Sequence, residues 1–458
     1  MKRFIKDISI YSILPVVGKF LGLILFVVYA RSFDLYQFGR LDMIIALESF
    51  LVYFINLEFY TALGKIFYNK QTIKEKSVLI STGLFLTIIA ACFIMLILCV
   101  VDKYIVEFYL NDISSLYEVR ISFIWLVLEG IGIYLITIQR YLREAKLYVF
   151  INIISIVVRV IFTLIFILFF NLGIVGVLYG YICGAIVLIG LNLFFIKKFL
   201  ILAFSKVDAE SICNFAFPMV PSVILIASCG PLFRWGISEC FSVKVVGLYA
   251  FASRITSFFS VLVSVLRNAW LPILFERGNS KTFFYELRKV STRILLFVLF
   301  IGSLVVLFAK EICLFLGSDE YLCAYVFFPF LIFIGYLRIS MELRGVGPML
   351  FNKTKWYSFS VVISLFICSF LFFLIKNDFG ILGIGFVLVL FYLIQHIILY
   401  HKTKETTGTL FFAKEFLFLF IFSIVCLLVL CDVCLLFRVL LALFFICCVL
   451  VRKRFLSF

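Results

Sequence analysis

The chain has 458 residues, of which 65% are hydrophobic and 14% are charged, and its mean hydropathy is +1.23. A soluble fold could not bury so much apolar surface, so the composition excludes a soluble enzyme, a secreted module and a disordered scaffold, and predicts a protein embedded in lipid. The formal net charge of +16 does not indicate nucleic-acid binding, because the basic residues form short clusters between apolar runs, where anionic lipid and membrane topology explain them.

In chain order, about fourteen apolar runs are long enough to cross the hydrocarbon core of a bilayer as helices. They lie near residues 10–30, 41–60, 78–101, 118–138, 149–170, 174–196, 215–235, 248–271, 293–313, 326–346, 358–375, 381–400, 415–431 and 433–450. These runs predict an all-α integral membrane fold. Lys and Arg concentrate in alternate connections, which places both termini in the cytoplasm. No connection is long enough for a soluble catalytic domain, so we expect function within the helix bundle.

An internal repeat relates the first and seventh runs. The paired positions are Pro15 with Pro218, Arg31 with Arg234, Gly39 with Gly247, and Ser49-Phe50 with Ser257-Phe258. Both copies begin on the cytoplasmic side, so the repeat is parallel. It predicts two six-helix lobes, 1–200 and 201–405, related by a pseudo-two-fold axis, and two extra transmembrane helices in 406–458. Chance similarity between two apolar segments is the alternative.

Polar residues inside the apolar runs are the candidate site residues, because a charge at mid-membrane is costly unless it faces other helices or a wet cavity. Two stripes have helical spacing: Ser253, Ser257, Ser260, Ser264 and Arg267 in the eighth run, and Asn152, Ser155, Arg159 and Thr163 in the fifth. We expect these stripes to line a hydrated cavity. Close helix packing through the small hydroxyl residues is the alternative.

The deep charges are mainly positive. The cations are Lys19, Arg159, Arg234, Arg254 and Arg267, and the carboxylates are Glu48 and Glu129. A cationic cavity suits an anionic passenger, because arginine binds phosphate bidentately. Ser257, Ser260 and Ser264 could bind sugar hydroxyls. Glu48 and Glu129 are candidates for coupling to a proton gradient or for charge balance, with structural ion pairing, for instance between Glu48 and Lys19, as the alternative. No metal site and no cofactor are predicted, and a proton or sodium gradient is the expected energy source.

Several motifs occur in a fixed order along the chain. They are Tyr29-Ala30-Arg31, Phe38-Gly39, Phe217-Pro218-Met219-Val220-Pro221, Arg234-Trp235, Val246-Gly247-Leu248-Tyr249, Ala269-Trp270-Leu271-Pro272, and Leu316-Gly317 with Tyr321 and Ala324. Over about the first 400 residues the chain resembles the O-antigen and capsule flippases, in the polysaccharide-transport branch of the multidrug/oligosaccharidyl-lipid/polysaccharide exporter superfamily. Phe233 stands where the family often has an acidic residue before the arginine, so the sequence does not predict an ion pair between positions 233 and 234.

The resemblance implies alternating access between two six-helix lobes. Its passenger would be a lipid-linked oligosaccharide repeat unit on undecaprenyl pyrophosphate, moved from the inner to the outer leaflet of a bacterial cytoplasmic membrane. Pyrophosphate would be held by the cations above. The implied partners are membrane lipids, a polysaccharide polymerase and a chain-length regulator. Nucleic acid is not expected as a partner.

Two other functions remain as alternatives. A cation-coupled multidrug exporter of the same superfamily would need a more acidic or more aromatic cavity with an ion-binding carboxylate cluster. A polytopic polymerase or glycosyltransferase would need sizeable outer loops or a donor-sugar loop, neither of which this sequence contains. The protein is therefore expected not to be an enzyme.

Overall fold

The computed structural model of the chain describes residues 2–259, 261–262, 281–344, 355–375 and 380–407, together with 419, 421–426 and 429. Regular secondary structure in these residues is entirely helical, which confirms the predicted all-α class. The helices are α1 (Lys2–Ser32), α2 (Leu35–Asn56), α3 (Phe59–Phe67), α4 (Ile73–Ile105), α5 (Leu116–Tyr141), α6 (Ala145–Leu168), α7 (Gly173–Ile196), α8 (Lys206–Ala216), α9 (Val220–Cys240), α10 (Val243–Thr256), α11 (Lys281–Leu307), α12 (Ala309–Leu316), α13 (Phe328–Arg344), α14 (Lys355–Ile375) and α15 (Gly380–Thr407).

Nine helices in the described part of the chain are long and apolar enough to cross a membrane, and the bent pair α2–α3 makes up to ten. The protein is therefore a multi-pass membrane protein. Each of the first twelve predicted runs overlaps a helix. The last two, 415–431 and 433–450, fall almost wholly outside the described residues, as does the end of the eighth.

Residues 1–247 form one compact unit. In it α7 packs against α5 and α6, α1 packs against α6, and α2 packs against α5 and α9. Apolar side chains of α3, α4, α5 and α8 form a core that includes Phe67, Ile80 and Tyr134. The Tyr134 hydroxyl is buried in this core and donates to the Ile80 carbonyl oxygen at 2.9 Å. Most of the candidate charged residues lie in this unit.

The contact between α6 and α7 depends on glycine. A Cβ atom at Gly180 would lie 2.7 Å from the backbone nitrogen of Thr163, and one at Gly184 would lie 2.8 Å from the Cβ atom of Arg159. Small residues spaced four apart let two membrane helices approach closely. This approach fixes the position of Arg159 against α7.

Residues 248–458 form a second compact unit. There α11 packs against α13, while α13 and α14 both pack against α15. Phe251 stacks on Tyr321, with ring centroids 4.7 Å apart, and Tyr321 and Ala324 are fully buried. These two motif residues therefore serve packing. The predicted lobe boundaries after residues 200 and 405 stay a prediction.

Candidate functional site

Four residues of α5, α6 and α7 form what we call the Arg159 cluster: Trp125, Glu129, Arg159 and Tyr181. One carboxylate oxygen, Glu129 Oε2, accepts from Arg159 Nη2 at 3.2 Å and from Trp125 Nε1 at 3.3 Å. The Arg159 guanidinium lies over the Tyr181 ring, 4.8 Å from its centroid. The Arg159 and Glu129 side chains keep 23% and 26% of their surface exposed, so the pair is oriented by its neighbours yet open on one side.

The polar stripe on α6 mostly serves packing. Ser155 is buried and donates to the carbonyl oxygen of Gly184 at 2.8 Å, and Thr163 is buried against Gly180. Asn152 donates to its own helix, at the Tyr148 carbonyl oxygen. The prediction that the stripe lines a hydrated cavity is therefore wrong for Ser155 and Thr163, which are buried in the helix contact. Arg159 is the charged member of the stripe, and its side chain is partly exposed.

Arg234 on α9 forms an ion pair with Asp42 on α2. The distance from Arg234 Nε to Asp42 Oδ2 is 2.6 Å, and Asp42 is only 3% exposed. Arg234 Nη1 also donates to the Gly230 carbonyl oxygen at 3.1 Å. The carboxylate partner of Arg234 is thus Asp42 on α2, and not a residue at position 233 of its own helix. Sequence reasoning missed Asp42, although it is an ionisable residue in the 41–60 run and meets the same criterion that selected Glu48.

Further contacts hold α9 beside the end of α4, at the end of the bundle that the sequence predicts to face outward. Trp235 Nε1 donates to the Phe108 carbonyl oxygen at 3.0 Å, and the two rings stack with centroids 5.0 Å apart. Asn111 donates to the Glu239 carboxylate. The Tyr109 hydroxyl lies 3.4 Å from the Pro231 carbonyl oxygen. Together with the Arg234–Asp42 pair, we call these contacts the α9 latch.

The start of α2 is tied to the α4–α5 connection by a second ionic network. Arg40 binds Asp112 at 3.0 Å and Glu118 at 2.8 Å, and the Tyr36 hydroxyl donates to Asp112 at 2.7 Å. Partial burial raises the pKa of Asp112, but hydrogen bonds from Ser114, Tyr36 and Arg40 outweigh it and hold this pKa well below its ordinary value. Asp112 is therefore ionised at neutral pH.

Glu48 takes part in neither the Arg159–Glu129 nor the Arg234–Asp42 ion pair. It is 2% exposed, and none of the ion pairs found in the described ranges includes it. The Ser122 hydroxyl is hydrogen-bonded to Glu48 Oε1 and also lies 2.8 Å from the Val119 carbonyl oxygen. Glu48 Oε2 is buried without a hydrogen-bond partner among the described residues. A serine hydroxyl has one proton, so if Ser122 donates to Val119, a protonated Glu48 completes the arrangement by donating to Ser122.

The remaining predicted site residues do not lie together in one place in the described structure. Lys19 is exposed on α1. Arg254 and Ser257 are half-buried in the second unit, where Ser257 Oγ donates to the Arg254 carbonyl oxygen at 2.6 Å. Ser260, Ser264 and Arg267 lie outside the described residues. Arg159 and Arg234 share the first unit, each in its own ion pair.

Comparison with known proteins gives both a family and a fold. Residues 4–278 match the family model described as "Polysaccharide biosynthesis protein". No curated protein is significantly similar to the chain.

Among solved structures, the lipid II flippase MurJ in an inward closed conformation has a TM-score of 0.71 at 15% identity, covering 95% of this chain and 96% of that one. An inward-facing multidrug resistance MATE family transporter of the MOP superfamily has a TM-score of 0.70 at 10% identity, covering 88% and 98%. A MATE transporter of Vibrio cholerae has a TM-score of 0.56 at 15% identity, covering 89% and 97%. The predicted superfamily fold is confirmed by these similarities.

Proposed function

The chain belongs to the family of polysaccharide biosynthesis proteins, and from this membership we propose that it is a flippase for undecaprenyl-pyrophosphate-linked oligosaccharide repeat units of O-antigen or capsule. It moves them from the inner to the outer leaflet of a bacterial cytoplasmic membrane by alternating access, without making or breaking a covalent bond. The observation that carries the proposal is the family match over residues 4–278, in a chain with the fold shared by a lipid II flippase and MATE transporters. Both termini are cytoplasmic in this proposal.

The diphosphate of the passenger is recognised by arginines that already have carboxylate partners. In the empty protein Glu129 and Asp42 neutralise Arg159 and Arg234, which avoids an uncompensated charge in a medium of low dielectric constant. A diphosphate offers more charge and more acceptor oxygens than one carboxylate, so it can replace either partner. Lys19, Arg254 and Arg267 add to the cationic set, and Ser257, Ser260 and Ser264 bind the sugars.

Glu48 binds the coupling proton in this proposal. Its arrangement with Ser122 and Val119 suits a protonated carboxyl, and its second oxygen is buried with no donor from the described residues. A sodium ion requires several oxygen ligands, whereas a proton requires one acceptor. A proton gradient is therefore the preferred energy source. Glu129 balances the charge of Arg159.

The family match favours a polysaccharide passenger over a drug. The drug-exporter alternative requires a carboxylate cluster that binds a cation. Glu48 and Glu129 do not share a partner, because Glu48 is bonded to Ser122 and Glu129 to Arg159 and Trp125. The proposed partners are the polymerase and the chain-length regulator that use the repeat unit in the outer leaflet.

Deletion of the gene in its host tests the proposal. Surface polysaccharide and the pool of lipid-linked repeat units are measured together, with a strain lacking the polymerase as the control. We expect the polymer to disappear while finished single repeat units accumulate in the inner leaflet. In the control, single units reach the outer leaflet. Normal polymer in cells that instead become drug-sensitive would contradict the proposal and favour a drug exporter.

A further inference from the structure

Two carboxyl groups of the described residues have a buried oxygen without a hydrogen-bond partner, Oε2 of Glu48 and Oε2 of Glu118. Both groups lie where α2 packs against α5. Glu48 on α2 is bonded to Ser122 on α5, and Glu118 on α5 is bonded to Arg40 on α2. Ser122 follows Glu118 by one helical turn, about 6 Å along the axis, on the same face of α5. The two carboxyl groups therefore lie in succession along the contact between these helices.

The two carboxyl groups differ in their access to water. The Glu118 side chain keeps 12% of its surface exposed. It shares Arg40 with Asp112, at the end of the bundle that the sequence predicts to face outward. Glu48 lies deeper, beside Ser122, and is almost completely buried. A proton from outer water can therefore reach Glu118 more readily than it can reach Glu48.

The charges around Glu118 favour uptake of a proton. The charged groups that act on Glu118 are Arg40 and Asp112. One guanidinium between two ionised carboxylates leaves an excess negative charge in a partly buried place, and a proton removes this excess. Asp112 also accepts hydrogen bonds from Tyr36 and Ser114, whereas Glu118 has a donor at only one of its oxygens. Glu118 is therefore the carboxyl group that takes the proton.

The start of α2, which carries Arg40, is held by a close contact between main chains. A Cβ atom at Gly39 would collide with the carbonyl oxygen of Val243, and one at Gly247 would collide with the carbonyl oxygen of Leu35. The contact is reciprocal, because each glycine meets the residue four positions before the other. Arg40 therefore extends from a backbone that is fixed at the preceding residue.

We propose that Glu118 is a relay residue that takes the coupling proton from the outer side and passes it through Ser122 to Glu48. This inference rests on the proposed function and adds the route by which the proton reaches Glu48. One bridging water connects Glu118 to Ser122 across the helical turn. Ser122 accepts the incoming proton on its hydroxyl oxygen and gives its own hydroxyl proton to Glu48.

The transfer leaves every group in an arrangement that the structure accommodates. Glu118 returns to a carboxylate paired with Arg40. Ser122 remains a neutral hydroxyl, and its new proton is donated to the Val119 carbonyl oxygen, 2.8 Å away. Protonated Glu48 then donates to the Ser122 oxygen. No other reactant is consumed, and the net change is the movement of one proton from outer water to Glu48.

Carbodiimide labelling of Glu48 tests the proposal, with the full-length protein in right-side-out membrane vesicles. Dicyclohexylcarbodiimide reacts with protonated carboxyl groups in apolar surroundings, and mass spectrometry measures the labelled fraction of Glu48. We expect a fall of about two units in the outer pH, at constant inner pH, to raise the labelling rate about threefold or more in the wild type. In Glu118→Gln the labelling rate should follow the inner pH alone. Glu118→Asp keeps a titratable carboxyl group and should restore most of the response.

Asp102→Asn is the matched control. Asp102 is a buried carboxylate that is also paired with α5, through Arg120 at 2.7 Å. Both of its oxygens have donors, because the Lys103 backbone N–H donates to the second one at 2.6 Å. Glu48 in this variant should respond to the outer pH as it does in the wild type.

Ser122→Ala provides a second test that does not depend on stable accumulation of Glu118→Gln. It removes the hydroxyl group between the two carboxyl groups, so Glu48 should again lose its response to the outer pH. A response of wild-type size in either variant would overturn the proposal. A labelling rate of wild-type Glu48 that is independent of the outer pH would also overturn it.

Gradient-driven flipping of a lipid-linked repeat unit by the same preparations separates this inference from the proposed function. Flipping that is still accelerated by the gradient in Glu118→Gln would overturn the relay and keep the flippase. A response of Glu48 to the outer pH that requires Glu118, without flipping of any repeat unit, would keep the relay and contradict the flippase.

Discussion

Gly184 on α7 lies directly against Arg159 on α6, so that a Cβ atom at Gly184 would be 2.8 Å from Cβ and 3.3 Å from Nε of Arg159. Arg159 Nε is itself buried and donates no hydrogen bond to the described residues. The glycine therefore determines where the guanidinium lies relative to Glu129 and Tyr181.

Gly184→Ala should displace Arg159 from its cluster. Because the methyl group meets the Cβ atom of a neighbouring helix, we expect a loss of about 1–3 kcal/mol in stability, with weaker flipping. Thermal unfolding in detergent and a vesicle flipping assay measure the two effects. Gly190→Ala on the same helix is the control, since a Cβ atom there meets nothing within 4 Å. Equal losses in both variants would contradict the explanation.

Glu129→Gln should strengthen binding of the diphosphate. The substitution keeps an acceptor for Trp125 but removes the charge that neutralises Arg159. We expect about fivefold tighter binding of undecaprenyl pyrophosphate, the value of one partly exposed ion pair, and slower release to the outer leaflet. Equilibrium binding in nanodiscs measures the change. Glu118→Gln, which removes a carboxylate from Arg40 instead, should leave this affinity unchanged. Weaker binding in Glu129→Gln would show that the carboxylate itself contacts the passenger.

Glu48→Gln should separate flipping from the proton gradient. The amide preserves the size of the side chain but cannot take up or release the proton, so flipping should proceed at the same rate with and without an imposed pH gradient. Vesicles with different internal and external pH measure this response. Glu58→Gln is the control, because Glu58 is a buried carboxylate at the α2–α3 bend that is bonded to Tyr60 and Thr61. An intact gradient response in Glu48→Gln would exclude Glu48 as the coupling group.

Asp112→Asn should destabilise the protein by about 1 kcal/mol at neutral pH, because the ionised carboxylate binds Arg40. The pKa of Asp112 is lowered in the folded protein, so this stabilisation is complete above about pH 4 and is lost as the pH falls through the lowered value. The difference in unfolding temperature between variant and wild type should therefore become smaller only below about pH 4. A difference that stays constant from pH 7 to pH 3 would contradict the role of the charge.

The helices could be predicted from the sequence because a bilayer requires long apolar runs with internally satisfied backbones. The apolar run at 41–60 nevertheless contains a bend of 44°, between α2 and α3. Leu57 and Glu58 adopt left-handed backbone conformations there, with φ of 41° and 61°. Neither is glycine or asparagine, the residues that usually indicate such a turn, so local sequence did not predict the break.

The cations of the site could be predicted, but their partners could not. Arg159 and Arg234 are conspicuous because a charge within an apolar run needs a reason. Their carboxylates lie 30 and 192 residues away in the chain, where no helical spacing connects them. Packing of α6 on α5 and of α9 on α2 brings each pair together.

The reciprocal contact of Gly39 and Gly247 is made by the main chain, because each glycine meets a carbonyl oxygen. A crossing of this kind does not depend on the identity of the side chains around it. The residues three positions after the two glycines, Asp42 and Ala250, therefore differ in charge without altering this contact. Substitutions at neighbouring positions can thus change the charge beside this contact while its main-chain partners stay the same.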